Sequence, residues 1–166
     1  MSENCNGDKS RIIENKINDV LIGDSLSNAL DFAAFLRVNE FDPECHESGF
    51  GWSVNYGGES VGFIVVDGAA QIPGPWTVWF NSCDFGDGPA DDDMKETAWA
   101  HASICGHFIS GGKDCGCGDQ PGFHRTIFGR EYENRCHSPL MFTNPDAKTL
   151  ENVKKLILML KHNIAA

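Results

Sequence analysis

Four of the chain's seven cysteines fall between positions 105 and 136: Cys105, Cys115, Cys117 and Cys136. Zinc takes four soft or borderline donors in a tetrahedron, and thiolates at about 2.3 Å satisfy it. Gly111, Gly112, Gly116 and Gly118 let the intervening chain wrap tightly, and a glycine-rich loop of this length in a compact domain needs something to order it. The spacing therefore points to one Zn2+ per chain, with Cys105 and Cys136 as fixed ligands at element ends and Cys115 and Cys117 closing from the loop. Four protein ligands leave no open position, so such a site is structural.

The ligand set has alternatives. His101 lies four residues before Cys105 and would share its helix face, and His107, His124 and His137 are also near enough in sequence to replace a loop cysteine. A catalytic zinc would instead need three ligands and an open position beside Asp114, Asp119 or His124, but no H-E-x-x-H and no deaminase-type H-x-E with P-C-x-x-C is present. Ferredoxin spacings do not match. Four ordinary thiols, or a redox switch in which Cys115 and Cys117 oxidise and release metal, complete the choices.

The bulk numbers set the context. With 166 residues, 41% hydrophobic and 22% charged, the chain is of ordinary size for one domain, and its order is expected from residue 10 onward after a disordered stretch at 1–9. A net charge of -11 repels nucleic acid. Lys113, Arg125, Arg130 and Arg135 alternate with Asp114, Asp119, Glu131 and Glu133, which reads as a mixed solvated face. The polar first residues carry no signal-peptide core and LILML is too short to span a bilayer, so no membrane contact and a cytoplasmic location are expected. In a reducing compartment clustered cysteines more often bind metal or do redox chemistry than form disulfides.

The elements that must position these residues can be read from periodicity. Ile12, Ile13, Ile17, Val20 and Leu21 predict a helix over 10–22, and Leu26, Leu30, Ala33, Phe35 and Leu36 a second one capped by Asp24 or Ser25. Trp52, Val54 and Tyr56 alternate, Gly57-Gly58 turns, and Val61, Phe63 and Val65 alternate back, a β-hairpin. WTVWFN, 76–81, follows as a third strand. Asp91, Asp92 and Asp93 suit a helix start, and Met94, Ala98, Ala102 and Cys105 extend that helix to Cys105. Short strands are expected at 124–128 and 140–142, and Asn144-Pro145-Asp146 opens a last helix with Leu150, Val153, Leu156, Ile157 and Leu160 on one face. The order predicts a single α+β domain over 10–166, an antiparallel meander of about five strands covered by helices, with the metal loop at 105–136.

Other residues offer weaker candidates. Cys45-His46 is a poor nucleophile-and-base pair because sequence neighbours seldom face each other, its loop reads as a solvent-facing connection, and Cys83 has no evident base. Trp52, Tyr56, Trp76, Trp79 and Trp99 are core and sheet cover, or else line a cleft for a small organic ligand. No phosphate-binding glycine loop and no G-x-S-x-G elbow occurs.

The segments ETAWAHASICG and TIFGREYENRCHSPLMFTNPDAKTLENVKKLI resemble a family of small bacterial proteins in which a cysteine-containing loop precedes an I-F-G-(K/R)-E-(F/Y)-x-N-x-C segment and an F-x-N-P-D helix start. The resemblance covers roughly the last 70 residues. It implies a sensing or effector-binding role beside transcription regulators, supplies no activity, and carries over Cys105, Cys115, Cys117 and Cys136 as metal ligands. The interval between Cys105 and Cys115 is longer here than in that arrangement, which leaves the loop ligand open. The leading expectation is thus a zinc-bound module that takes a small-molecule ligand or another protein, more a binding domain than an enzyme. The second is a zinc- or thiol-dependent enzyme on a small substrate.

Overall fold

The computed structural model describes residues 12–49, 51–66, 74–105, 108 and 122–166. Residues 1–9, Cys115, Cys117 and His107 lie outside the described residues. Among the described residues four helices, α1 (Ile13–Val20), α2 (Gly23–Val38), α3 (Asp92–Ala100) and α4 (Ala147–Ala165), accompany seven strands: β1 (Asp42–Cys45), β2 (Trp52–Tyr56), β3 (Glu59–Val66), β4 (Trp76–Phe80), β5 (Ala102–Ile104), β6 (Phe123–Ile127) and β7 (Arg130–Thr143). All pairings are antiparallel, in the order β1-β2-β3-β4-β7-β5, with β6 also on β7.

The α+β architecture follows from period-two burial. Trp52, Ile64, Val78 and Phe142 stand opposite one another across β2, β3, β4 and β7, with Phe80 and Leu140 in the next row, and all are buried. Against them pack Ile13 and Ile17 of α1, Phe32 and Leu36 of α2, and Leu150, Val153, Leu156 and Ile157 of α4. Each fully buried side chain of this kind contributes about 1.5–3 kcal/mol. On the opposite face Phe63, Trp79 and Met141 follow one another across three strands.

The sheet has two strands more than the expected five, β1 and β5, and one strand is longer than expected. Asp42–Cys45, read as a solvent-facing connection, is an edge strand: Phe41 and Pro43 are buried, and proline is tolerated at an edge. The third helix stops at Ala100 instead of running to Cys105, because Ala102–Ile104 is taken up by the β7 ladder. The strand expected at 124–128 is β6, while β7 runs for 14 residues where only a short strand at 140–142 is expected, pairing β6 along its first half and β4 along its last. At the helix starts, α2 has neither Asp24 nor Ser25 as its cap, since Ile22 occupies that position with no side-chain bond. Asp91 and Asp146 do cap α3 and α4, accepting from the Met94 and Thr149 backbone N–H groups at 2.8 Å.

Candidate functional site

Cys105 directly follows β5 and Cys136 lies within β7, on either side of one ladder pair, Ile104 opposite Arg135. The Cys105 N–H donates to the Asn134 carbonyl at 2.9 Å, so the two cysteines are diagonal neighbours, a relation that puts Cα atoms about 7–8 Å apart. Neither is in a disulfide; Cys105 is fully buried and Cys136 half-buried.

The chain that leaves at Cys105 comes back to the same place. Phe108 N–H donates to the Cys105 carbonyl at 3.0 Å, starting a turn directly after the strand. At the return, Gly122 has φ +79 and lies so close to Asn134 that a Cβ there would meet the Asn134 Cα at 3.1 Å and the Phe108 ring at 2.6 Å. Asn134 itself has φ +58, a left-handed conformation that asparagine adopts more readily than most residues. Both ends of the 105–122 segment therefore meet at Asn134, two residues before Cys136. This closure was missed in the sequence; Gly122 followed by a strand was its only signal.

Among the described residues no three His, Cys, Asp or Glu side chains form a metal-binding group. The two described thiols are half of the expected four-sulfur set, and their donor chemistry fits zinc; Cys115 and Cys117 lie outside the described residues. The histidine alternatives have other uses. His101 is not on a shared helix face with Cys105, since the helix has ended; its Nδ1 lies 2.8 Å from the Thr97 carbonyl and its ring lies against Phe142. His124 Nε2 is 3.6 Å from a Glu133 carboxylate oxygen, and His137 meets the Phe123 ring edge to face.

Compared with known protein families, curated proteins and solved structures, this chain matches none.

The remaining thiols show what the fold does not favour. Cys45 is disulfide-bonded, a departure from the reduced thiols expected in a reducing compartment. Its neighbour His46 turns Nδ1 to the Ser48 hydroxyl at 2.8 Å and its ring edge to Phe63. Cys45 also stands on the β1 edge, at the far end of the strand order from Cys105. Cys83 lines a polar cleft of about 400 Å³ together with Asp84, His124 and Arg125, and its Sγ donates to the Thr126 carbonyl at 3.8 Å. Burial pushes the Cys83 thiol up, outweighing a smaller opposite pull from Arg125, and a protonated thiol is a poor nucleophile.

The five aromatics proposed as a cleft do not gather. Trp52 and Trp76 are in the core, each with an indole N–H lacking a partner among the described residues. Tyr56 packs on Phe41 with Lys161 above it; Trp79 stacks with Phe63 on the other sheet face. Trp99 donates to the Ile127 carbonyl at 2.7 Å and carries the Arg130 guanidinium 3.8 Å above its ring. The basic residues of the mixed face are likewise held on rings, Arg125 over Phe123 and Arg135 over Tyr132.

The I-F-G-R segment has a job in this arrangement. Phe128 sits at φ +46, uncommon for a bulky residue, in the two-residue turn with Gly129 that joins β6 to β7. Its ring stacks on Phe85 at 4.8 Å with planes 10° apart. With Ile127 bonded to Trp99 and Arg130 lying on it, the hairpin turn fixes both α3 and the chain around Phe85.

No helix among the described residues is long and apolar enough to cross a membrane.

Proposed function

We propose that this protein is a zinc-binding α+β module in which Cys105, Cys115, Cys117 and Cys136 hold one structural Zn2+, and that the ordered domain serves as a binding unit for a small molecule or another protein. The observation that carries the metal reading is the convergence at Asn134: a long glycine-rich segment begins and ends at one point of the β5–β7 ladder, with a cysteine outside any disulfide on each side of it. A loop closed at its base restricts where Cys115 and Cys117 can reach, and a metal at the base supplies the order that the glycines withhold. Zinc bound there by four thiolates would act as a Lewis acid toward no substrate, because no coordination position stays open.

The test is the metal content of protein purified without chelator or nickel resin. About one zinc per chain, lost together with thermal stability in Cys117→Ser, is the expected result. Metal-free protein that is stably folded would sink the reading. A thiol-dependent enzyme is the weaker alternative, since Cys83 lines a cleft together with Asp84 and His124 but its proton is held by burial.

A further inference from the structure

The chain between β4 and α3 is built to stand against α4 with an open cleft beside it. Asp84 N–H donates to the Ser82 hydroxyl at 3.0 Å, and an Asp84 carboxylate oxygen accepts from Gly86 N–H at 3.1 Å. Asn163 of α4 donates to the Asp84 carbonyl at 3.2 Å. Phe85, 5% exposed, is pinned by its stack on Phe128. Gly86 has φ +63 and a Cβ there would meet Asn163 at 3.3 Å, while one on Gly88 would meet the Met159 methyl at 3.2 Å. The left-handed backbone at Gly86 favours glycine, whereas at Gly88 the flexible Met159 methyl would have to give by a few tenths of an ångström.

Beside this seat lies a cleft of about 610 Å³, within the range of small-molecule sites. Phe85, Pro89, Met94, Leu158 and Met159 supply an apolar lining, and methionines adapt their shape to what they meet. The charged and titratable groups facing it are Asp87, Asp91, Lys155 and His162. Asp91 is spoken for: one carboxylate oxygen caps α3 and the other accepts from Lys155 Nζ at 3.1 Å, which occupies that lysine too. Asp87 has no ion-pair partner among the described residues and is exposed at the mouth. An apolar cleft lined by an exposed carboxylate that has no ion-pair partner among the described residues, Asp87, on a chain of net charge -11, selects a cation.

We propose that this cleft binds a small apolar amine, its hydrocarbon or aromatic body between Met94 and Met159 and its ammonium group at Asp87. The proposal rests on the binding-unit half of the function proposed above and names its ligand class. A fixed glycine-shaped wall lowers the ordering cost of binding, and a charge-assisted contact at the mouth supplies orientation.

The test uses the full chain with its zinc content recorded, titrated with tryptamine and, separately, with indole-3-acetate, a matched ring with the opposite charge. The Met94 and Met159 methyl resonances are followed throughout. Tryptamine is expected to shift both methyls in a saturable way, indole-3-acetate to bind at least about tenfold more weakly, and Asp87→Asn to weaken tryptamine about tenfold. Methyls that do not move up to about 10 mM tryptamine, equal binding of the acid, or an unchanged affinity in Asp87→Asn would overturn the proposal. Amine binding by metal-free protein would leave this site standing and remove only the zinc reading.

Discussion

The Cys105 N–H donates to the Asn134 carbonyl at 2.9 Å, and Gly122 passes over the same residue close enough that only glycine fits. Replacing Gly122 with alanine forces a side chain into φ +79 and against both the Phe108 ring and the Asn134 backbone. The expected cost is about 1–3 kcal/mol in urea unfolding. Under the metal reading, zinc affinity falls in step with it. A Gly122→Ala protein with unchanged stability would mean that the base of the loop is not closed as described.

Phe85 and Phe128 should act as one unit. The stack holds a left-handed Phe128 and the wall of the cleft together, so a double-mutant cycle with Phe85→Leu and Phe128→Leu is expected to give about 0.5–1.5 kcal/mol of coupling. Additive losses would show that the two rings are merely adjacent.

Trp52 and Trp76 are expected to tolerate phenylalanine unusually well for core positions. The smaller ring loses packing, but it also removes a buried indole donor with no partner among the described residues, and such an orphan costs about 1–3 kcal/mol. The net change predicted for either substitution is within about 1 kcal/mol, whereas Phe80→Ala should cost about 3–5. Large losses for both tryptophans would mean that each N–H finds a partner.

Acid should weaken the fold through named carboxylates. The Arg37 hydrogen bond holds Glu14 below its ordinary value against the opposing effect of burial; the Met94 N–H and Lys155 do the same for Asp91, and the Thr149 N–H and hydroxyl for Asp146. A carboxyl with a depressed folded pKa contributes stability above its unfolded pKa and loses it as pH falls through the folded one. Stability should therefore be flat near neutrality and drop below about pH 4.5, and Asp91→Asn with Asp146→Asn should make that drop shallower. An identical acid slope in the double variant would contradict the assignment.

The parts legible in the sequence were those with a clean period or a local cap. The Trp52–Val66 hairpin, the WTVWF strand and the Asp146-capped helix carry their signals within a few residues. Three features hid for physical reasons. β1 contains Pro43 and acidic residues, acceptable only because it is an edge, and edge status is a property of the whole sheet. β5 is three residues long and continues a helical pattern of Met94, Ala98 and Ala102, so tertiary pairing with β7 decides where that pattern stops. β7 reads as polar for most of its length, since REYENRCHS holds only exposed and half-buried positions in no regular alternation. At the candidate site, cysteine spacing was visible, but the meeting of Cys105, Gly122 and Asn134 depends on a register shift in the β5–β7 ladder that no local pattern encodes.

The measurement that tests the central claim most directly is thiol alkylation of the native, non-reduced protein, read peptide by peptide by mass spectrometry before and after a strong zinc chelator. The account predicts that Cys105, Cys115, Cys117 and Cys136 are protected as a set, that about one zinc per chain leaves with the chelator, and that Cys115, Cys117 and Cys136 then react together while Cys83 is unchanged. Cys115 and Cys117 reacting at full rate before chelation, or the chelator changing none of the four, would contradict it.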